Sequence, residues 1–377
     1  MVERLLEHNI LKHWDDPKAI IILGPRQSGK TTLVNSIAKR KELPMQFWSG
    51  DDFSIRSMLG TIAIATLKTM IGGSKIIIID EAQRIENIGL CIKMIIDHFP
   101  GVKVLATGSS SFELSNRVNE PMTGRKWEYL LLPFSFKEMV GDHGLAKEKT
   151  LLEQRMIYGY YPDVVNNPGQ EKEILKQLAD SYLYKDILLM ERINKTDRLE
   201  KLVQALAFQV GNEVSYNELG QITGLDNQTV ERYIDLLEKA FVIFRIGSLS
   251  RNLRNELKKS RKIYFYDNGL RNAIINAFNP LSLRTDIGQL WENFMMSERL
   301  KYLKTHDVWC SRFFWRTTAQ QEIDYVEESE GKTFGYEFKW NPNLKKSFPK
   351  AFINAYPGSE TSYITPDSFF PFLGIDK

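Results

Sequence analysis

Apolar and polar positions along this chain follow two rhythms. Short continuous apolar runs at 20–23 ("IIIL"), 76–79 ("IIII") and within "VKVLATGSS" are too brief for helices, and each is followed by polar or small residues. Such runs read as central parallel strands covered on both faces. Between them the period changes to that of a helix: Leu33, Ile37 and Ala38 share one side of a segment that starts at about Lys30. Strands separated by helices predict an α/β fold whose first 145 residues form a doubly wound parallel sheet.

From 146 to 285 the pattern is mainly helical. Pro162 in "YGYYPDVV" is expected to end a helix or force a turn, and the tyrosines beside it to serve packing. At 213–246, Ser215 can cap a helix running to Thr223 and "GLD" makes a tight turn. A second helix then carries Val230, Ile234 and Leu237 at i, i+4 and i+7 before the strand "FVIFRI". Two short helices, a turn and a strand make a winged-helix pattern, with Asn227, Gln228, Thr229 and Arg232 directed outward.

A third unit is expected at 286–377. Its helix begins near Ile287, with Ile287, Leu290, Trp291 and Phe294 in the apolar stripe, Glu298 inside that stripe and Glu292 on its flank. Strands follow at "VWCSRFFWR", "QEIDYVE" and "TFGYEFKW". A period of two puts Phe334, Tyr336, Phe338 and Trp340 on one face of the last strand, with Glu337 and Lys339 on the other. Ile323 and Tyr325 are expected to share a face, with Asp324 opposite. A turn centred on Glu330 and Gly331 sets Asp324 across from Glu337.

Composition adds limits. A length of 377 residues suits two or three domains. The net charge of +3 does not argue for nucleic acid, but 250–262, "SRNLRNELKKSRK", holds six basic residues against one acid. Two cysteines far apart give neither a ligand spacing nor a disulfide framework and fit a reducing compartment. The start, "MVERLLEHNILKHW", is an amphipathic helix rather than a signal peptide, and no apolar run is long enough for a membrane span. These features place the protein in the cytoplasm.

The first strand leads into G-x-x-x-x-G-K-[ST] at 24–31. Gly24, Pro25, Arg26, Gln27, Ser28 and Gly29 would curl so that backbone N–H groups surround a phosphate at a helix start, where Lys30, Thr31 and Thr32 follow. Lys30 would reach the terminal phosphates of ATP, and the Thr31 hydroxyl would ligate Mg2+. "IIIIDEAQRI" places Asp80 and Glu81 at a strand end, Asp80 as a magnesium partner and Glu81 to orient or deprotonate water. Thr107, Ser109 or Ser110 could contact the γ-phosphate or that water. Arg125 reads equally well as a transition-state arginine, from the same chain or a neighbour, and as a surface arginine in a turn.

"GPRQSGKTTL", "IIIIDEAQRI", "TGSSSFEL" and "GRKWEYLLLPFSFKE", in that order, resemble the bacterial and archaeal AAA-type ATPases that carry the domain of unknown function DUF4143. The likeness continues through "YGYYPDVV", "YLYKDIL", "KIYFYDNGLRN" and "GQLWENF". It implies an AAA+ core, a helical and winged-helix segment and a C-terminal nuclease-like fold, and it supports a sensor or finger role for Arg125. A neighbour's arginine would require a homo-oligomer; some such proteins act alone.

Two facing carboxylates destabilise a hairpin unless something offsets them. A divalent metal held by Asp324 and Glu337, completed by Glu292 or Glu298, would do so, with Lys339 positioning or activating water. Helix glutamate, strand aspartate and E-x-K resemble the PD-(D/E)xK nucleases, a restriction-endonuclease-like fold. An exposed, salt-bridged hairpin explains the same residues without catalysis. The expectation is a magnesium-dependent ATPase acting on DNA. The alternative is a nucleotide-controlled switch that binds an unidentified protein and carries an idle nuclease fold. A small-molecule kinase is disfavoured, because Glu81 suits water activation.

Overall fold

The structure is a computed structural model that describes residues 2–60, 63–109, 122–180, 196–249, 261–344 and 347–375. The chain forms two compact units, Met1–Phe134 with Lys239–Phe241, and Ser135–Glu238 with Val242–Lys377.

The first unit runs α1 (Leu5–Lys12), β1 (Ala19–Leu23), α2 (Lys30–Arg40), β2 (Met45–Ser49), α3 (Phe53–Gly60), α4 (Ile64–Ile71), β3 (Ile76–Asp80), α5 (Ile88–His98), β4 (Lys103–Gly108) and β5 (Lys126–Leu130). All five strands are parallel, in the order β2-β3-β4-β1-β5. Alternate residues of β1 and β3 serve two cores. Ile20, Ile22, Ile76 and Ile78 pack with Leu6, Ile10, Leu33, Val34, Ile37 and Ala38 of α1 and α2, while the intervening Ile21, Ile77 and Ile79 are equally buried. The sequence pattern located β1, β3 and β4. It missed β2 and β5, whose mixed residues suit strands at the sheet edges: Met45 and Phe47 remain exposed, as does Glu128.

The second unit begins with α6 (Phe136–His143), opened by a capping box between Ser135 and Glu138. Next come α7 (Leu145–Thr150), α8 (Leu152–Tyr158), α9 (Pro162–Asn166), α10 (Glu171–Ala179) and α11 (Thr196–Phe208). Pro162 starts a helix rather than ending one, because the first turn needs no N–H from it. Tyr160 and Tyr161 are buried and pack.

There follow β6 (Glu213–Val214), α12 (Tyr216–Thr223), α13 (Asn227–Lys239), β7 (Ile243–Ser248) and β8 (Arg261–Phe265). Ser215 caps α12 through the Glu218 N–H, Gly224 ends it in the left-handed region, and Val230, Ile234 and Leu237 are buried. Strand β8 pairs antiparallel with both β6 and β7.

After α14 (Asn268–Ile274) the chain enters α15 (Ile287–Thr305), β9 (Ser311–Arg316), β10 (Glu322–Ser329), β11 (Lys332–Phe338), α16 (Lys350–Ala355) and β12 (Glu360–Ile364). β9, β10 and β11 form an antiparallel meander, and β12 lies parallel to β11. The boundary expected at 285 falls inside this unit, because β7 pairs in parallel with β9 and makes one seven-stranded sheet, β12-β11-β10-β9-β7-β8-β6. Among the described residues, no helix is long and apolar enough to cross a membrane.

Candidate functional site

The C-terminal ends of β1, β3 and β4 bring the nucleotide-loop residues together. Gly24 has φ 154° and Gly29 has φ 92°, and Gln27 also takes a positive φ of 56°. Pro25, Arg26, Gln27 and Ser28 therefore turn back on themselves before α2, whose first turn contains Thr31 and Thr32. Ser28 Oγ donates to Pro25 O at 2.9 Å. The buried Lys30 Nζ donates to Gly24 O at 2.9 Å and Pro25 O at 2.7 Å, so the ammonium caps the loop from within.

Thr31 Oγ1 donates to Asp80 Oδ1 at 2.9 Å, and Thr107 Oγ1 donates to the same oxygen at 2.6 Å. A hydroxyl and a carboxylate at one point form a hard oxygen set that fits Mg2+. Glu81 adopts the left-handed conformation, φ 49° and ψ 44°, and its N–H donates to Thr107 Oγ1 at 3.2 Å. Gln83 Nε2 donates to Glu81 Oε2 at 2.6 Å and to Ser109 Oγ at 2.9 Å. Ser110 lies outside the described residues.

Arg125 is not brought to this site. Its backbone carbonyl accepts from the Ala19 N–H, which fixes it at the start of β1, whereas the loop follows the end of that strand. Five residues of strand separate the two, about 16 Å at the usual rise. Its guanidinium pairs instead with Asp97, Nε to Oδ1 at 3.0 Å. A sensor or finger role toward its own loop is thereby corrected. Sequence reasoning also missed Arg4, a buried residue whose guanidinium donates to Ser28 O at 2.8 Å and Leu132 O at 2.6 Å. Nothing local signals it, since it acts 24 residues away.

In the second unit the hairpin has the expected register. Tyr325 faces Tyr336 and Ser329 faces Lys332, and just beyond this paired stretch Asp324 and Glu337 share a contact to Lys339. Ile323 and Tyr325 do not share a face. The register against β9 shifts between Ile323 and Val326, and this bulge puts Ile323 with Val326, Trp315 and Phe352, while Tyr325 stacks on Tyr336 and Phe338.

Two lysines interleave the carboxylates. Lys339 Nζ is 2.7 Å from Glu337 Oε2 and 3.4 Å from Asp324 Oδ2, which also accepts from the Phe338 N–H. Lys262 Nζ, brought by β8, is 3.1 Å from Glu292 Oε1 and 2.5 Å from Glu322 Oε1, and Tyr264 donates its hydroxyl to Glu292 at 2.7 Å. Burial pushes the Glu292 carboxyl up to about 7, against the pull of Lys262 and with help from Asp324; burial and Asp324 push Glu337 up to about 7. Glu298, buried as its place in the stripe implied, is spent elsewhere, accepting from Phe136 N–H and Lys301 Nζ.

Glu292 is therefore the helix glutamate in this cluster. Among the described residues, however, no three carboxylate, imidazole or thiolate side chains converge closely enough to hold a metal. As placed, Glu292, Asp324 and Glu337 do not fit a divalent ion. The offsetting charge assigned to a metal comes from Lys262 and Lys339, and Lys262 went unnoticed because its partner is 30 residues away on another element.

On α13, Asn227, Gln228 and Arg232 are exposed, while Thr229 is tied to Asp226 at the helix start, with Oγ1 to Oδ2 at 2.7 Å. Most of the basic run 250–262 lies outside the described residues; Arg261 and Lys262 are in β8.

Residues 16–140 match the model of an AAA domain, 149–281 a domain of unknown function, DUF8612, and 287–367 a domain of unknown function, DUF4143. An uncharacterised protein of Mycobacterium tuberculosis is 24% identical over 353 residues, covering 90% of this chain and 76% of that protein. An uncharacterised protein of Methanocaldococcus jannaschii is 22% identical over 340 residues, covering 84% and 73%. Among solved structures, a Walker-type ATPase of Pyrococcus abyssi superposes with a TM-score of 0.50 at 15% identity, over 73% of this chain and 96% of that one. The chain thus carries an AAA domain with the fold of P-loop ATPases, followed by DUF8612 and DUF4143 regions.

Proposed function

We propose that this protein is a magnesium-dependent ATPase that acts on DNA. One observation carries the reading: Thr31, Asp80 and Thr107 meet at a single carboxylate oxygen, beside a phosphate loop closed by Lys30 and a carboxylate at Glu81. Thr31 and Asp80 would hold Mg2+, which neutralises charge on the phosphates when bound. Attack by water forms one P–O bond and breaks the bridging one, releasing ADP. Glu81 takes the proton of that water, and Lys30 stabilises the charge that gathers on the leaving oxygens. Arg125 could serve a neighbouring copy's site in a homo-oligomer.

The test is ATP turnover by wild type and Lys30→Ala, with and without duplex DNA. Lys30→Ala should lower turnover by about a hundredfold or more, the scale of losing one preorganised donor from a transition-state site. Unchanged turnover in Lys30→Ala would sink the ATPase reading. Turnover indifferent to DNA would count against DNA as the partner.

The DNA reading is supported by the order α11, β6, α12, α13, β7, β8, which is that of a winged helix, with Gln228 and Arg232 exposed on the second of its two short helices. The order helix, three antiparallel strands, helix and parallel strand in α15–β12 supports a PD-(D/E)xK-like architecture. For this part a second reading is favoured by Lys262 and Lys339, whose ion pairs with the carboxylates leave a nuclease-like fold that engages DNA or a protein without cutting. Under it, wild type and Asp324→Ala give the same absence of cleavage in Mg2+ or Mn2+. Cleavage by wild type alone would restore the nuclease.

A further inference from the structure

Glu81 has to aim one carboxylate oxygen at water, and it follows a strand end in a left-handed turn. Gln83 holds its side chain. The short turn at Ala82–Arg84 brings its buried side chain back beneath Glu81, and one amide nitrogen donates to both Glu81 Oε2, at 2.6 Å, and Ser109 Oγ, at 2.9 Å. Ser109 Oγ in turn lies 3.5 Å from the same Glu81 oxygen and follows β4, the strand that also delivers Thr107 to Asp80.

We propose that Gln83 is a positioning residue for ATP hydrolysis: it fixes Oε2 of Glu81 against Ser109 and leaves Oε1 as the oxygen that receives the water's proton. This rests on the ATPase reading above. An amide suits the task because it donates two hydrogen bonds without carrying charge. A lysine or arginine in its place would form an ion pair with Glu81, adding a full positive charge that weakens the carboxylate as a base. The two donated bonds also make the position of Glu81 depend on the end of β4, so whatever contacts Ser109 is transmitted to the carboxylate.

The experiment compares wild type, Gln83→Met, Glu81→Gln and the double variant, measuring kcat and KM for ATP hydrolysis and the Kd of a fluorescent ATP analogue. Methionine keeps the length and volume of glutamine and removes its donors. Gln83→Met should lower kcat roughly 10- to 100-fold, the range for losing an outer hydrogen-bond partner of an active-site ligand. KM and Kd should stay within about twofold of wild type, as for a group acting only in the transition state. In the Glu81→Gln background the same change should have no further effect, because Gln83 acts through Glu81.

A wild-type kcat in Gln83→Met, a loss that multiplies in the double variant, or a rise in KM at constant kcat would each overturn the proposal. Should Gln83→Met fail to fold, Ser109→Ala removes the other end of the clamp: a several-fold drop in kcat at unchanged Kd supports it, and an unchanged kcat overturns it. Wild type that turns over no ATP would instead overturn the ATPase reading.

Discussion

Gly24 is the position where one atom decides whether the nucleotide loop can close. Its φ of 154° is one that side chains rarely take, and a Cβ there would meet the Leu131 carbonyl oxygen at 2.0 Å. Gly24→Ala must push the loop off Leu131, the residue after β5, taking with it the two carbonyls that hold Lys30. ATP affinity should fall at least about tenfold, a cost of roughly 1.4 kcal/mol. Titration with a fluorescent ATP analogue checks this, and wild-type affinity would show that the loop can shift at no cost. Glu292 and Glu337 make a second prediction, on pH. Both carboxyls sit near 7 in the folded protein against an ordinary 4.5, so the folded state binds protons that the unfolded chain releases. Their contribution to stability is complete below about pH 4.5 and is lost as the pH rises to about 7, at about 1.4 kcal/mol per unit of displacement. Urea unfolding between pH 5 and 8 should show Glu292→Gln and Glu337→Gln with flatter pH dependence than wild type and a relative gain at pH 8. Parallel curves would mean that these groups do not titrate there. Residues such as Lys30, Thr31 and Asp80 were legible because their chemistry is written in adjacent positions. Lys262 and Arg4 were not, because each finds its partners through folding.

At the scale of elements, legibility followed local geometry. Glu330 and Gly331 have φ of 51° and 77°, the pair of positive angles that a two-residue hairpin turn requires, and the register from Ser329 to Tyr325 follows directly. Strict alternation then failed two residues later, at the bulge, because an extra residue in β10 is set by its pairing with β9 and leaves no mark in "EIDYV". The separation of Arg125 from its own phosphate loop was illegible for a related reason. Its neighbourhood to glycine is local, but its distance from the phosphate loop depends on which end of β5 it occupies. The motifs "YGYYP" and "YDNGLRN" gained a purpose only when seen together. Asp267 accepts from the Tyr160 and Leu270 N–H groups, and Asn268 and Asn272 donate to Met156 O and Ile157 O. A Cβ at Gly269 would lie 2.1 Å from the Tyr158 carbonyl oxygen. Gly269→Ala therefore forces α8 and α14 apart, and should destabilise the second unit by about 2–4 kcal/mol, the upper range for overpacking against backbone. Chemical denaturation of wild type and variant measures it; a change under half a kcal/mol would show that the docking is loose.

On the scale of the whole molecule, the sheet of the second unit overrides the divisions that composition and family matches suggest. Residues 149–281 and 287–367 match separate domains, yet β7 from the first pairs with β9 from the second at Gly247–Phe313 and Ser248–Phe314, and the Leu249 N–H donates to Phe314 O. Side chains cross the same seam. Lys262 and Tyr264 of β8 supply the hydrogen bonds of Glu292, and Asn293 of α15 accepts from the Phe265 N–H. Separation would leave Glu292 without its cation, and removing one partner of a buried pair costs about 3–5 kcal/mol. It would also expose the β9 edge and strip Asn293 of its backbone partners. Those losses are comparable with the whole stability of a small domain, about 5–15 kcal/mol. A fragment of residues 286–377 should therefore lack a cooperative thermal transition, whereas 135–377 should melt as one. Circular dichroism melts of the two fragments test this, and a sharp transition from 286–377 alone would show that the seam is an interface between independent domains. Lys262→Met in 135–377 separates the two contributions. It removes the cation while keeping the backbone pairing, so a single transition at lower temperature would assign cooperativity to the sheet, and two resolved transitions would assign it to the ion pairs across the seam.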